Sequence, residues 1–142
     1  MTSPRSTTHL QRRDPKLRSH AAARQPTIAL DADLISFTHA PSPHVCIRLC
    51  RALAVMEVAL DLQGMRDPLL HVRSAQLALV AVMERRDRIG VFAVSELDAL
   101  TLRAAAPLIA EAFGRIRLGA FFLANAIVTD AEERARDALP SA

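Results

Sequence analysis

From residue 43 onward, apolar positions recur at helical spacing. Val45, Leu49, Ala52, Met56 and Leu60 are separated by steps of three and four, which puts them on one helical face. Ser42 and Pro43 make a good start signal, and Gly64 follows the last periodic residue. Ile47, Val58 and Leu62 are apolar too, so this helix is expected to bury more than one face. Asp67–Pro68 repeats the start signal and Gly90 closes the next helix. Leu69, Leu70, Val72, Leu77, Leu79, Val80, Val82 and Met83 make that helix apolar nearly all round. Its end, Glu84-Arg85-Arg86-Asp87-Arg88, reads as a solvated terminus whose arginines complement the helix dipole.

Ser95 and Asp98 then form a capping box, with Asp in the usual Glu place. Leu97, Leu100, Ala104 and Leu108 follow as a stripe expected to face the core, and Pro107 is expected to kink or end the helix. A further helix is expected over about 115–128, with Ile116, Ala120, Leu123 and Ile127 on one face. Thr129 and Glu132 read as a second capping box, opening a short charged helix over 130–139 that Pro140 ends. The expectation for 42–139 is therefore an all-α domain, a small bundle of four to five helices.

The first 41 residues follow no such pattern. Residues 1–26 hold Pro4, Pro15 and Pro26 among small polar residues, and read as a disordered arm. Residues 27–41 are apolar in places without a sustained period. Ile35 and Phe37 alternate with Ser36 and Thr38, so the segment reads as irregular or briefly extended.

Composition agrees with a helical class. Ala and Leu fill 45 of 142 positions, Gly is 4, and there is no Trp or Tyr. The length allows one small soluble domain. Charge divides the chain: the net charge is +3, yet residues 1–26 alone carry +5 through Arg5, Arg12, Arg13, Lys16, Arg18 and Arg24 against Asp14. The body is −2, so attraction to nucleic acid is expected of the arm, and the arm is also Arg-rich and acid-poor in the manner of transit peptides. No apolar core of a secretory signal follows the first charges. The longest uncharged apolar run, Leu118–Val128, has 11 residues against the roughly 20 that span a bilayer, so no membrane contact is expected. Seventeen Arg to one Lys points to a GC-rich bacterial genome.

Candidate chemistry is sparse. His39, His44, Cys46 and Cys50 fall within 12 residues, and imidazole and thiolate are metal ligands. The spacing is C-x3-C without a second pair, so burial is the plainer reading, and His44, Cys46 and Cys50 stay weak metal candidates. A disulfide between cysteines one helical turn apart would be strained, so free thiols and a cytoplasmic setting fit best. Asp67 and His71, at i and i+4, read as a local contact at a helix start. Phe113, Phe121 and Phe122 read as core packing, since only Arg115 and Arg117 lie near them. There is no nucleophile elbow, P-loop, dinucleotide fingerprint or H-E-x-x-H. No enzyme activity and no cofactor are expected.

The segment Ala93-Val94-Ser95 before a helix has the look of a DNA-reading turn. That helix opens with Glu96 and Asp98, however, which phosphate repels. The sequence is also similar to a set of small all-helical bacterial proteins of unassigned function, some classed as Fis-like transcriptional regulators. The likeness lies in Leu49-Cys50-Arg51-Ala52-Leu53-Ala54, in Gly90-Val91-Phe92 before an acid-capped helix, and in the amphipathic helix from about Arg115. The resemblance covers about 100 residues and implies a helical fold without assigning site residues. Fis proteins themselves end in a basic helix-turn-helix, whereas this chain ends in Glu132, Glu133 and Asp137.

The functional expectation is a non-enzymatic, self-associating interaction or accessory module with a regulatory role. Its interface is expected on the apolar helices at 43–63 and 68–83, with a homodimer or protein partner. The alternative is a nucleic-acid-associated transcriptional regulator acting through the basic arm.

Overall fold

The computed structural model describes residues 30–140, and these are helical with no strand. Five helices occupy them: α1 over 30–39, α2 Pro43–Leu62, α3 Arg66–Ile89, α4 Glu96–Gly114 and α5 Leu118–Asp137. The basic residues Arg5, Arg12, Arg13, Lys16, Arg18 and Arg24 lie outside the described residues. The packing forms a row. α2 and α3 are the inner pair, α5 packs on the far side of α2 and α4 on the far side of α3. α4 and α5 follow each other in sequence but diverge by 117°.

The inner pair forms for the reasons the pattern gives. Leu49, Leu53, Met56 and Leu60 recur at steps of three and four on α2, and all are buried. Leu69, Val72, Ala75, Leu79 and Val82 do the same on α3. α2 ends at a Schellman turn: Gly64 takes φ 70°, its N–H donates to Asp61 O, and Met65 N–H donates to Leu60 O at 2.9 Å. Gly90 closes α3 in the same left-handed region, at φ 72°. Asp67 is not the cap of α3. The helix begins one residue earlier, after Met65, and the Asp67 charge instead sits in the first turn, where the dipole favours it.

Four further expectations are corrected. Residues 30–39 are helical rather than irregular or extended. Leu30, Leu34 and Phe37 stand four and three apart, and their burial together outweighs the local alternation of Ile35 and Phe37. Pro107 does not end α4. Its exposed outer side leaves room for the ring, and the core face of Leu102, Ala105, Ala106, Ile109 and Phe113 holds the helix together across it. The stripe Leu97, Leu100, Ala104 and Leu108 does not face the core: it is the exposed side of that helix. Finally, 118–137 is one helix rather than two, and Thr129 and Glu132 cap nothing.

Candidate interaction surfaces

The described side chains that bear on function fall into a thiol pair, a set of arginine ties and the exposed apolar faces. Cys46 and Cys50 lie one turn apart on α2, and both are free. Cys46 is buried among the core leucines. That burial, with the neighbouring Cys50 thiol adding, pushes it up to about 12. Burial raises Cys50 as well, and its hydrogen bond with Cys46 offsets part of the rise. Such thiols stay protonated at neutral pH, which makes them poor nucleophiles and poor ligands. His44 is exposed in the first turn of α2. Among the described residues, no three His, Cys, Asp or Glu side chains gather to hold a metal ion. The structure therefore does not assemble His44, Cys46 and Cys50 into a site. His71 is half-buried one turn beyond the exposed Asp67.

Arginines tie the helices together, among them Arg51, Arg85 and Arg48. Arg51 on α2 donates from all three guanidinium nitrogens to α5: Nε to Glu132 Oε1 at 3.0 Å, Nη1 to Asn125 Oδ1 at 3.0 Å and Nη2 to Thr129 Oγ1 at 2.9 Å. These acceptors recur at i, i+4 and i+7, so they line one face of α5. The capping-box reading missed them because Thr-x-x-Glu also describes two residues on one helical face. Arg85 on α3 donates to Ala93 O at 2.7 Å and to Asp98 Oδ2 at 3.3 Å. Ser95 Oγ does accept from Asp98 N–H at 3.1 Å, as a cap should. The Asp98 carboxylate, though, turns to Arg85 rather than back to the cap. One arginine of the charge run 84–88 is thus structural, and it pins the α3–α4 connection. Arg48 pairs with Asp33 at 2.9 Å and holds α1 to α2. Phe37 meets Phe92 edge-on at 6.0 Å, which seats α1 against the same connection.

Gln63 secures the other end. Its Oε1 accepts from Arg117 N–H at 2.6 Å, and its Nε2 donates to Arg115 O at 3.2 Å. One side-chain amide so fixes the turn where α4 passes into α5. Beside it opens a surface groove of about 510 Å³, lined by Leu62, Gln63, Arg117, Gly119, Ala120 and Leu123.

The apolar surplus is now located. Most of it on α2 and α3 is inside the chain's own core; Ile47, Leu62, Leu70, Leu77, Val80 and Ile89 remain outward. The outer helices add more. Leu97, Leu100 and Leu108 are exposed on α4, and Phe122, Leu123 and Ile127 on α5. Phe113 is buried and packs on Phe121 at 5.6 Å, while Phe122 is 61% exposed. The core-packing expectation therefore holds for Phe113 and fails for Phe122, which α5 turns outward. No single helix among the described residues is long and apolar enough to cross a membrane. No family model, curated protein or solved structure matches the chain.

Proposed function

We propose that the chain is a non-enzymatic helical interaction module that self-associates and serves a regulatory or accessory role. The observation behind this reading is the apolar surface left on a bundle whose core is already complete. α5 turns Phe122, Leu123 and Ile127 outward, α4 turns Leu97, Leu100 and Leu108 outward, and Leu70 and Leu77 do so on α3. Scattered exposed leucines are ordinary, but helical stripes of them mark surfaces that partners cover. Sedimentation velocity across micromolar concentrations tests the reading: a concentration-dependent dimer is expected, and a monomer throughout overturns it.

The charge on residues 1–26 favours a second reading, a transcriptional regulator that contacts nucleic acid through Arg5, Arg12, Arg13, Lys16, Arg18 and Arg24. Binding by such an arm would be steeply salt-dependent and weakly sequence-specific. Gel shifts of the full chain against one lacking 1–26 decide it. Loss of binding with the arm supports the reading, and no binding by either chain sinks it.

A further inference from the structure

The exposed face of α5 is ordered by charge as well as by polarity. Along one stripe the helix and its lead-in present Arg115 and Arg117, then Gly119, Phe122, Leu123, Ala126 and Ile127, then Asp130, Glu133 and Asp137; all are exposed. The stripe is basic at its start, apolar in its middle and acidic at its end. At the acidic end Arg134 pairs with Asp130 at 2.8 Å and Glu132 pairs with Arg51, which leaves Glu133 and Asp137 against Arg136.

We propose that this face binds the same face of a second copy of the chain, with the two α5 helices antiparallel about a two-fold axis near residues 124–125. The proposal rests on the self-association reading above and specifies its surface. Antiparallel pairing satisfies the stripe with itself, as an isologous contact requires. Arg117 lies seven to eight residues before the axis, and Asp130 to Glu133 lie about as far beyond it, roughly 10 Å each way at 1.5 Å per residue. Each basic end then meets the acidic end of the other copy, while Phe122 and Leu123 of one copy lie opposite Ile127 and Ala126 of the other. The helix dipoles oppose favourably in the same arrangement.

Gly119 adds an independent observation. It stands within α5 at ordinary helical φ, and a Cβ built on it meets nothing within 4 Å. Nothing in the folded chain requires a glycine at this first-turn position. A second backbone approaching closely gives it a use. The stripe on α4 is different: Glu96 and Glu111 stand exposed at its two ends, so two copies of it would set acid against acid.

Sedimentation of four variants tests the surface, with circular dichroism confirming that each is folded. Leu123→Arg should weaken the dimer roughly 30-fold, as removal of a central anchor does. Gly119→Leu should weaken it too while raising the melting temperature of the dilute monomer, a combination that a purely structural role for Gly119 would not give. The double variant R115E/R117E and the double variant D130R/E133R should each stay monomeric alone and form a mixed dimer when combined. If the native chain is a dimer and all four variants keep its affinity, this surface is wrong and the self-association reading stands. In that case Leu70→Arg and Leu77→Arg on α3 would locate the contact. If the native chain is monomeric to about 100 μM, both fall.

Discussion

α2 and α5 are both 20 residues long, yet they end in different surroundings. α2 buries seven residues, spread around much of its circumference, because α3 packs on one side of it and α5 on another. α5 buries only Ala124 and Val128 and leaves Phe122, Leu123 and Ile127 in solvent. Apolar content alone does not tell these two situations apart. Position in the row does, since an inner helix is covered on both sides by its neighbours in the row and an outer helix keeps one side free. Apolar residues on an inner helix hold the monomer together, whereas on the outer side of an outer helix they are available to another molecule.

The sharpest break in that comparison comes from truncating one leucine on each kind of surface. Leu79 is fully buried on α3. Leu79→Ala is expected to lower unfolding free energy by about 2–5 kcal/mol, through lost transfer energy and the cavity left behind. Against a total of roughly 5–15 kcal/mol for a domain of this size, that brings the fold close to failure. Leu97, 73% exposed on α4, should change stability by less than about 0.5 kcal/mol when replaced by Ala. Urea unfolding followed by circular dichroism measures both. Equal losses would show that α4 is oriented differently from the structure described above.

The next largest effect belongs to the inner helix and is set by pH. Cys46 is raised from the ordinary 9.0 to about 12. Below pH 9 the thiol is neutral in both folded and unfolded chains, so its burial carries no ionisation penalty. Between pH 9 and 12 the unfolded chain gives up this proton and the native chain keeps it. Stability then falls with rising pH, by at most about 1.4 kcal/mol per pH unit for this group. The chain has no Tyr and a single Lys, so Cys50, which burial also raises, is the main other group titrating in that range. The melting temperature should therefore decline through pH 9–12, and Cys46→Ala should flatten the decline. A decline equally steep in the alanine variant would remove Cys46 as its cause.

How far the sequence reveals this fold depends on which neighbour each residue answers to. Local signals were readable: Pro43, Gly64, Gly90 and Ser95 mark helix ends because their backbone chemistry acts within a few residues. Burial on α2 and α3 was readable too, since almost any face of an inner helix finds a partner. The side of α4 that faces inward was not. Leu97, Leu100, Ala104 and Leu108 make as good a stripe as Leu102, Ala105, Ala106, Ile109 and Phe113, and only the position of α3 chooses between them. Thr129 and Glu132 show the same limit. Their spacing suits a cap and also suits acceptors on one helical face, and Arg51, 78 and 81 residues earlier, decides the matter. The burial expected of the thiols holds for Cys46, while Cys50 is half-buried, and Gln63, which ties both sides of the α4–α5 turn, gives no motif at all.

The arginine ties extend the contrast at a smaller scale. Arg85 and Asp98 are well covered, with side-chain exposures of 25% and 14%, whereas Arg51 and Glu132 stand at 39% and 46%. Removing Arg85 leaves a half-buried carboxylate without its cation, and Arg85→Ala should cost about 1–2 kcal/mol. Arg51 makes more bonds, but water and salt compete for them, and Arg51→Ala should cost about 1 kcal/mol. Raising salt from 0.05 to 0.5 M should shrink the Arg51 effect more than the Arg85 effect. The reverse order would mean that the α2–α5 contact is the drier of the two.

The smallest effect is the most informative about the outer helices. Leu123→Gln on α5 and Leu97→Gln on α4 both replace an exposed leucine, and in dilute protein neither should move the melting temperature by more than about 2 °C. A dimer stabilises its folded state by mass action, so the native chain should melt higher as its concentration rises. If α5 is the shared surface, Leu123→Gln loses most of that rise and Leu97→Gln keeps it. The two variants then separate only in concentrated protein. A common slope of melting temperature against the logarithm of concentration for both would place the two outer helices on equal footing and remove the distinction drawn from their charges.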